Sequence, residues 1–114
     1  MKQKTLNKLE NVLKKILLCS ILLLVFLGVN SVISYVLNYH HEGVHESICI
    51  LNEGKVVEKH ISSIDGYVKC SIENENIIKG FMLTDIVGYH LIAFVKVLEI
   101  FIFVILSFII IIRK

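Results

Sequence analysis

The chain has 114 residues, of which 55% are hydrophobic, with no Pro, no Trp and a formal net charge of +2. Such an apolar chain is unlike an ordinary soluble domain and reads as a small, mainly α membrane protein. Its basic residues gather at the flanks of apolar segments, which argues against a nucleic-acid partner and for contact with membrane lipid.

Residues 1–15 form a basic flank in which Lys2, Lys4, Lys8, Lys14 and Lys15 stand against Glu10. Within it Leu6, Leu9, Val12, Leu13, Ile16 and Leu17 recur at three- and four-residue spacing, so the helix is expected to begin there. Residues 16–37 carry no formal charge and match the roughly 20 residues that cross a hydrocarbon core of about 30 Å. This first transmembrane helix is expected to be a retained anchor. Its apolar stretch exceeds the roughly 7 to 15 residues of a signal core, and no small-x-small cleavage pattern follows it. Asn30, Ser31 and Ser34 near its outer end are polar enough to face protein, and Cys19 reads as a small apolar filler.

Residues 38–53 are expected to continue or restart as a helix bearing His41-Glu42-Gly43-Val44-His45, with Glu46 directly after. Two residues four apart lie about 40° apart around a helix and one turn apart along it, so the two imidazoles can grip one metal ion. Glu42 could then act as general base on a metal-bound water. This is the working set of a zinc hydrolase, in which Zn2+ lowers the water's pKa toward neutrality. The competing reading is a solvated interfacial helix with a chance motif. His40 and Glu46 read as exposed neighbours, with Glu46 a weaker candidate for holding an imidazole's other nitrogen. Asn52-Glu53-Gly54 is a natural stop, with Gly as the expected left-handed cap.

Residues 54–76 predict a small β-hairpin and a polar loop: Lys55 to Ser62, a turn at Ile64-Asp65-Gly66, Tyr67 to Ile72, then Glu73-Asn74-Glu75-Asn76. Cys49 and Cys70 could pair if this segment is extracytoplasmic. So short a segment lacks an apolar core of its own, and a metal could staple it. Residues 77–112 predict the second long helix, including a second transmembrane span that accepts Lys96 and Glu99. These two lie three apart and can meet on one helix face. Both termini are expected to be cytoplasmic, since Arg113-Lys114 ends the chain as Lys residues begin it. The expected architecture is two long transmembrane helices forming a hairpin, with the β-hairpin between them.

A catalytic zinc wants three protein ligands and a water. Asp85 is the first choice for the third, because a helical hairpin sets the start of the second helix beside the end of the first. Asp65, His60 and His90 are alternatives. A turn Asp before Gly more often serves the turn, and His90 lies about 140° around the helix from Asp85. For Asp85 itself, a charge favoured by the helix N-terminal dipole is the competing reading.

His41-Glu42-Gly43-Val44-His45, Glu46-Ser47-Ile48, Asn52-Glu53-Gly54-Lys55-Val56-Val57 and Lys59-His60-Ile61-Ser62 together resemble the start of intramembrane metalloproteases of the site-2 protease type. There the motif is followed by an apolar helix, a Gly-bearing turn and a β-hairpin. Leu83-Thr84-Asp85-Ile86-Val87-Gly88-Tyr89-His90 looks like the acidic second-helix motif of small archaeal and viral membrane proteins that carry the same His-Glu-x-x-His pattern. That resemblance implies that Asp85 is the third ligand. Site-2 proteases have more spans and take their third ligand from an Asp-Gly in a later helix, whereas the Asp-Gly here, Asp65-Gly66, falls in the expected hairpin turn.

The functional expectation is a membrane-embedded zinc hydrolase, a peptidase acting on a peptide or membrane-protein substrate. Tyr89 or His90 could serve the oxyanion, and Val56 to Ser62 could hold extended substrate by strand addition. A lone helical hairpin barely shields a metal, which suggests a homo-oligomer. The alternatives are a non-enzymatic two-span protein that binds another membrane protein and carries a structural metal or a chance motif, and a small pore-forming or regulatory membrane peptide.

Overall fold

A computed structural model describes residues 2–113. The order is α1 (Lys2–Leu51), β1 (Val56–Ile61), β2 (Gly66–Cys70) and α2 (Glu75–Ile112). The chain is thus mainly helical, with two long apolar helices and a small antiparallel β-hairpin between them, as the sequence predicts. Each helix contains a stretch long and apolar enough to cross a membrane. The motif helix is a continuation of α1, without a restart.

The helix ends obey local chemistry. At the end of α1, Glu53 N–H donates to Ile50 O at 3.0 Å and Gly54 N–H to Cys49 O at 2.9 Å, the paired bonds of a Schellman stop. The sequence reading assigned the left-handed position to Gly54, and this is corrected: Glu53 takes it, at φ 65°. Gly54 serves space instead, because a Cβ there would lie 2.5 Å from Cys70 Sγ and 2.9 Å from Cys49 Sγ. A left-handed non-glycine costs roughly 1–2 kcal/mol. Glu53→Gly is therefore expected to stabilise the protein by about 1 kcal/mol, seen as a higher midpoint in thermal unfolding. At the other end of the loop, α2 starts two residues earlier than the apolar pattern suggests. Asn74 Oδ1 accepts the Ile77 N–H at 2.9 Å, a side-chain N-cap, and Glu75 sits in the first turn where its charge suits the dipole.

The described residues fall into two compact units. In the first, built from the chain up to Val29 and from Val97 onward, the Phe26 and Phe103 rings meet with centroids 4.7 Å apart, and Lys15 Nζ donates to Ile111 O at 2.8 Å. The second, Asn30–Lys96, contains the hairpin and the motif-bearing turns of α1. Here the Lys96 ammonium is held by Asn30 Oδ1, at 2.5 Å, and by Ser34 Oγ, so the polar residues near the expected outer end of the first span do face protein. Ser31 is exposed.

In the hairpin, Glu58 pairs with Lys69 and Ile61 with Gly66, with a register shift between Val56 and Glu58. Glu58 accepts from Tyr67 Oη and pairs with Lys69 Nζ, and these two contacts hold its carboxyl below the ordinary value. The turn is closed by Ser62, whose Oγ accepts the N–H groups of Ile64 and Asp65. β2 alternates: Val68 is buried while its neighbours Tyr67 and Lys69 are exposed, the period-two pattern of a strand with one covered face.

Candidate metal centre

The last third of α1 carries two stripes, and helical periodicity separates them. Asn38, Glu42, Glu46 and Cys49 meet the hairpin. Asn38 Nδ2 donates to Ser62 O at 2.9 Å, Lys59 Nζ reaches Glu46 Oε2 at 2.5 Å, and Cys49 is disulfide-bonded to Cys70. At Gly66 a Cβ would come within 2.9 Å of Glu42 Cγ, so β2 lies directly on the Glu42 side chain. His41, His45 and Ile48 form the other stripe and meet α2. Gly80 faces Ile48 and Gly88 faces the His41 ring; Phe81 stacks on His45 at 4.4 Å between centroids, and Tyr89 on His41 at 5.5 Å.

On this framework the acidic group of α2 meets both imidazoles. Asp85 Oδ1 lies 2.9 Å from His41 Nε2 and 3.0 Å from His45 Nε2. The two histidine side chains are 8% exposed and Asp85 is 40% exposed, so the cluster is closed on the protein side and reachable from the other. On its opposite ring nitrogen, His45 Nδ1 is bonded to Glu42 Oε2 at 2.9 Å. Glu42 is itself only 4% exposed. The ligand-type atoms of His41, Glu42 and His45 all lie within 4.8 Å of one another.

One feature is what a bound metal ion would explain. Although Asp85 Oδ1 is 3.0 Å from it, the buried His45 Nε2 makes no hydrogen bond. If Nδ1 carries the proton it gives to Glu42, Nε2 presents a bare lone pair to a carboxylate oxygen, an arrangement that a second proton or a metal ion between them would relieve. The contact lengths do not separate the two: 2.9 and 3.0 Å are ordinary hydrogen-bond lengths, and ligands about 2.0–2.1 Å from a tetrahedral zinc would stand about 3.3 Å from one another. Among the acids, Asp85 suits the third position better than Glu42, because a carboxylate oxygen on Nδ1 lies on the side of the ring away from Nε2.

The other residues considered from the sequence lie elsewhere. His60 Nε2 and Asp65 Oδ1 face each other at 3.2 Å on the exposed hairpin turn; the Ser62 hydroxyl, then His60, hold the Asp65 carboxyl below its ordinary value. His40 and His90 are exposed, as expected for His40. Glu46 bonds Lys59, and the carboxylate on an imidazole's second nitrogen is that of Glu42. Sequence reasoning missed Phe81, Gly88 and Gly66. Phe81 and Gly88 sit four before and three after Asp85, so helical spacing from Asp85 would have found them; Gly66 had no such signal, since its role depends on how the hairpin docks.

Beside His41 and Gly88 opens a groove of about 350 Å³, walled by Leu37, Val44, Leu83, Val87 and Leu91. Comparison with protein families, with curated proteins and with solved structures finds no match to this chain.

Proposed function

We propose that this protein is a membrane-embedded zinc-dependent hydrolase, a peptidase whose metal is held by His41 Nε2, His45 Nε2 and Asp85 Oδ1. The observation that carries the reading is the meeting of one Asp85 oxygen with both imidazoles, one of which has a buried and unbonded Nε2. Zinc, when bound there, supplies a water acidified toward neutrality and polarises a carbonyl. His41 and His45 are kept in orientation by Tyr89 and Phe81. Glu42, the expected base, engages His45 Nδ1 through Oε2, so in this reading proton acceptance would fall to Oε1, and its carboxylate serves His45 as well. The groove beside His41 would take an apolar side chain of a peptide, which is the substrate class a membrane protein meets at its surface. The likeness to site-2 proteases supports the metal site and not the choice of transmembrane substrates.

The same reading places both helices across a bilayer. Along them Leu24, Val32, Phe94, Val97 and Phe101 are each more than 60% exposed, an apolar surface that water would not tolerate and lipid would cover. The five Lys of the N-terminal flank argue for cytoplasmic termini. The Cys49–Cys70 disulfide argues for a hairpin on the oxidising side. A structural zinc in a non-enzymatic partner-binding protein is the second reading, favoured by one observation: Glu42, the expected base, lies beneath the hairpin.

Elemental analysis of detergent-purified protein tests the proposal, comparing wild type, Glu42→Gln and the His41→Ala/His45→Ala double variant. About one zinc per chain is expected in the first two and none in the third, with hydrolysis of apolar peptides lost in Glu42→Gln. Zinc in both but no hydrolysis by wild type would favour the structural reading. No zinc above background in folded wild type would sink both.

A further inference from the structure

Glu42 holds a position that the general-base role does not require. A base for an attacking water needs a carboxylate facing the open side of the metal. Here one oxygen of that carboxylate is spent on His45 Nδ1 at 2.9 Å, the ring nitrogen pointing away from Asp85, and the side chain is 4% exposed. Metal-binding histidines ordinarily give their second N–H to a carboxylate or a carbonyl, which fixes the tautomer and the ring plane. Glu46, the obvious neighbour for that task, is drawn off by Lys59.

The cause of this placement lies outside the motif. Glu42 is on the stripe of α1 that meets the hairpin, and Gly66 at the start of β2 leaves just enough room for it. A Cβ at position 66 would lie 2.9 Å from Glu42 Cγ and 3.2 Å from His60 O, and the second of these is backbone that cannot swing aside. Two residues along β2 Val68 is buried, and two further Cys70 is bonded to Cys49. The face of β2 toward α1 therefore reads glycine over the carboxylate, apolar residue, covalent fastening.

We propose that Glu42 is a positioning residue for the metal, holding His45 with its proton on Nδ1 and its Nε2 bare, and that β2 locks Glu42 in this role through Gly66. The inference rests on the metal reading above and adds that the hairpin is a wall of the metal centre. Zinc affinity therefore depends on an element that contributes no ligand.

Two readouts test it, and one needs no metal. In metal-free protein at alkaline pH, where the ring is neutral, imidazole nitrogen NMR should show His45 as the Nδ1–H tautomer in wild type and in Glu42→Gln, whose amide oxygen can still accept. Glu42→Leu should lose that preference. In chelator competition for Zn2+, Glu42→Gln should stay within a few-fold of wild type, Glu42→Leu should weaken about 10- to 100-fold, and Gly66→Ala should shift the same way by less. Circular dichroism confirms that each variant keeps its helices. Equal affinity in wild type and Glu42→Leu, or an Nε2–H tautomer in wild type, overturns the positioning role while leaving a metal site intact. No zinc bound by wild type overturns the metal reading, and the tautomer still reports whether Glu42 holds His45.

Discussion

On the proposed metal reading, replacing Gly88 by Ala is expected to weaken zinc binding by about 100-fold, while the same replacement at Gly43, inside the motif itself, leaves binding unchanged. A Cβ at position 88 would sit 2.5 Å from His41 Cε1 and nearer still to Nδ1, against a ring that is only 8% exposed. Ordinary contact is about 3.5–4.0 Å, so either the imidazole or the α2 backbone must retreat by an ångström or more. The ring has little room, since Tyr89 stacks on it and His45 lies 4.7 Å away. If α2 retreats, Asp85 goes with it. Either way one of the three proposed ligands leaves its place, and metal sites tolerate displacements of only a few tenths of an ångström. Gly43 is the control because nothing lies within 4 Å of a Cβ built there. Glycine inside a helix costs about 0.5–1 kcal/mol relative to alanine, so Gly43→Ala should raise stability slightly. Chelator competition gives the affinities and thermal unfolding the stabilities. Wild-type affinity in Gly88→Ala would mean that α2 does not pack on His41 as described.

The contrast between these two glycines shows how far the sequence could be read. The facing of His41 and His45 follows from a four-residue spacing on one helix, and the meeting of α2 with them follows from the topology of two helices joined by a short loop. Both are arguments about local geometry. The β-hairpin was equally legible, because Lys55 to Ser62 and Tyr67 to Ile72, with their Val, Ile and Tyr, flank a turn at Ile64-Asp65-Gly66. What the sequence did not disclose depends on how the hairpin docks on α1. Glu42 and Glu46 are four apart and chemically alike, and nothing in their order says that Lys59 takes one and His45 the other. The same holds at Glu53 and Gly54. A glycine after a helix ordinarily takes the left-handed turn, but here Glu53 takes it, and the glycine one place later leaves room for two sulfur atoms that a Cβ would meet. Lys96 was read with Glu99 on one helix face, and the amide and hydroxyl that hold its ammonium come from α1, more than 60 positions away. Contacts of such sequence separation are fixed by packing, which periodicity does not encode.

The docking of the hairpin also sets the second large effect. Cys49→Ser with Cys70→Ser is expected to cost about 3 kcal/mol of stability, the loss of loop-closure entropy for a bridge that spans 21 residues. The residues between Leu51 and Glu75 have too little apolar surface to hold themselves. Val68 is the only hydrophobic side chain between the two helices that is buried among the described residues, against the several that an independent core requires. Without the bridge the hairpin keeps the Asn38–Ser62 hydrogen bond, the partly exposed Glu46–Lys59 pair and the Lys59 ammonium over the Tyr39 ring as its described polar ties to α1, and an exposed ion pair contributes about 1 kcal/mol at most. Hydrogen exchange should then rise through Val56–Ile61 and Gly66–Cys70 while the helical amides of residues 16–37 stay protected. Cys19→Ser, at a cysteine outside any disulfide, should leave both regions as they were. If β2 locks Glu42 on His45 as proposed, the consequence reaches the proposed metal centre, because a hairpin that lifts away releases Glu42. Zinc affinity should fall in the double serine variant by a factor similar to that in Gly66→Ala or larger, although neither cysteine touches a ligand. Unchanged affinity together with fast exchange in the strands would separate the hairpin from the metal and leave the disulfide a purely structural clasp.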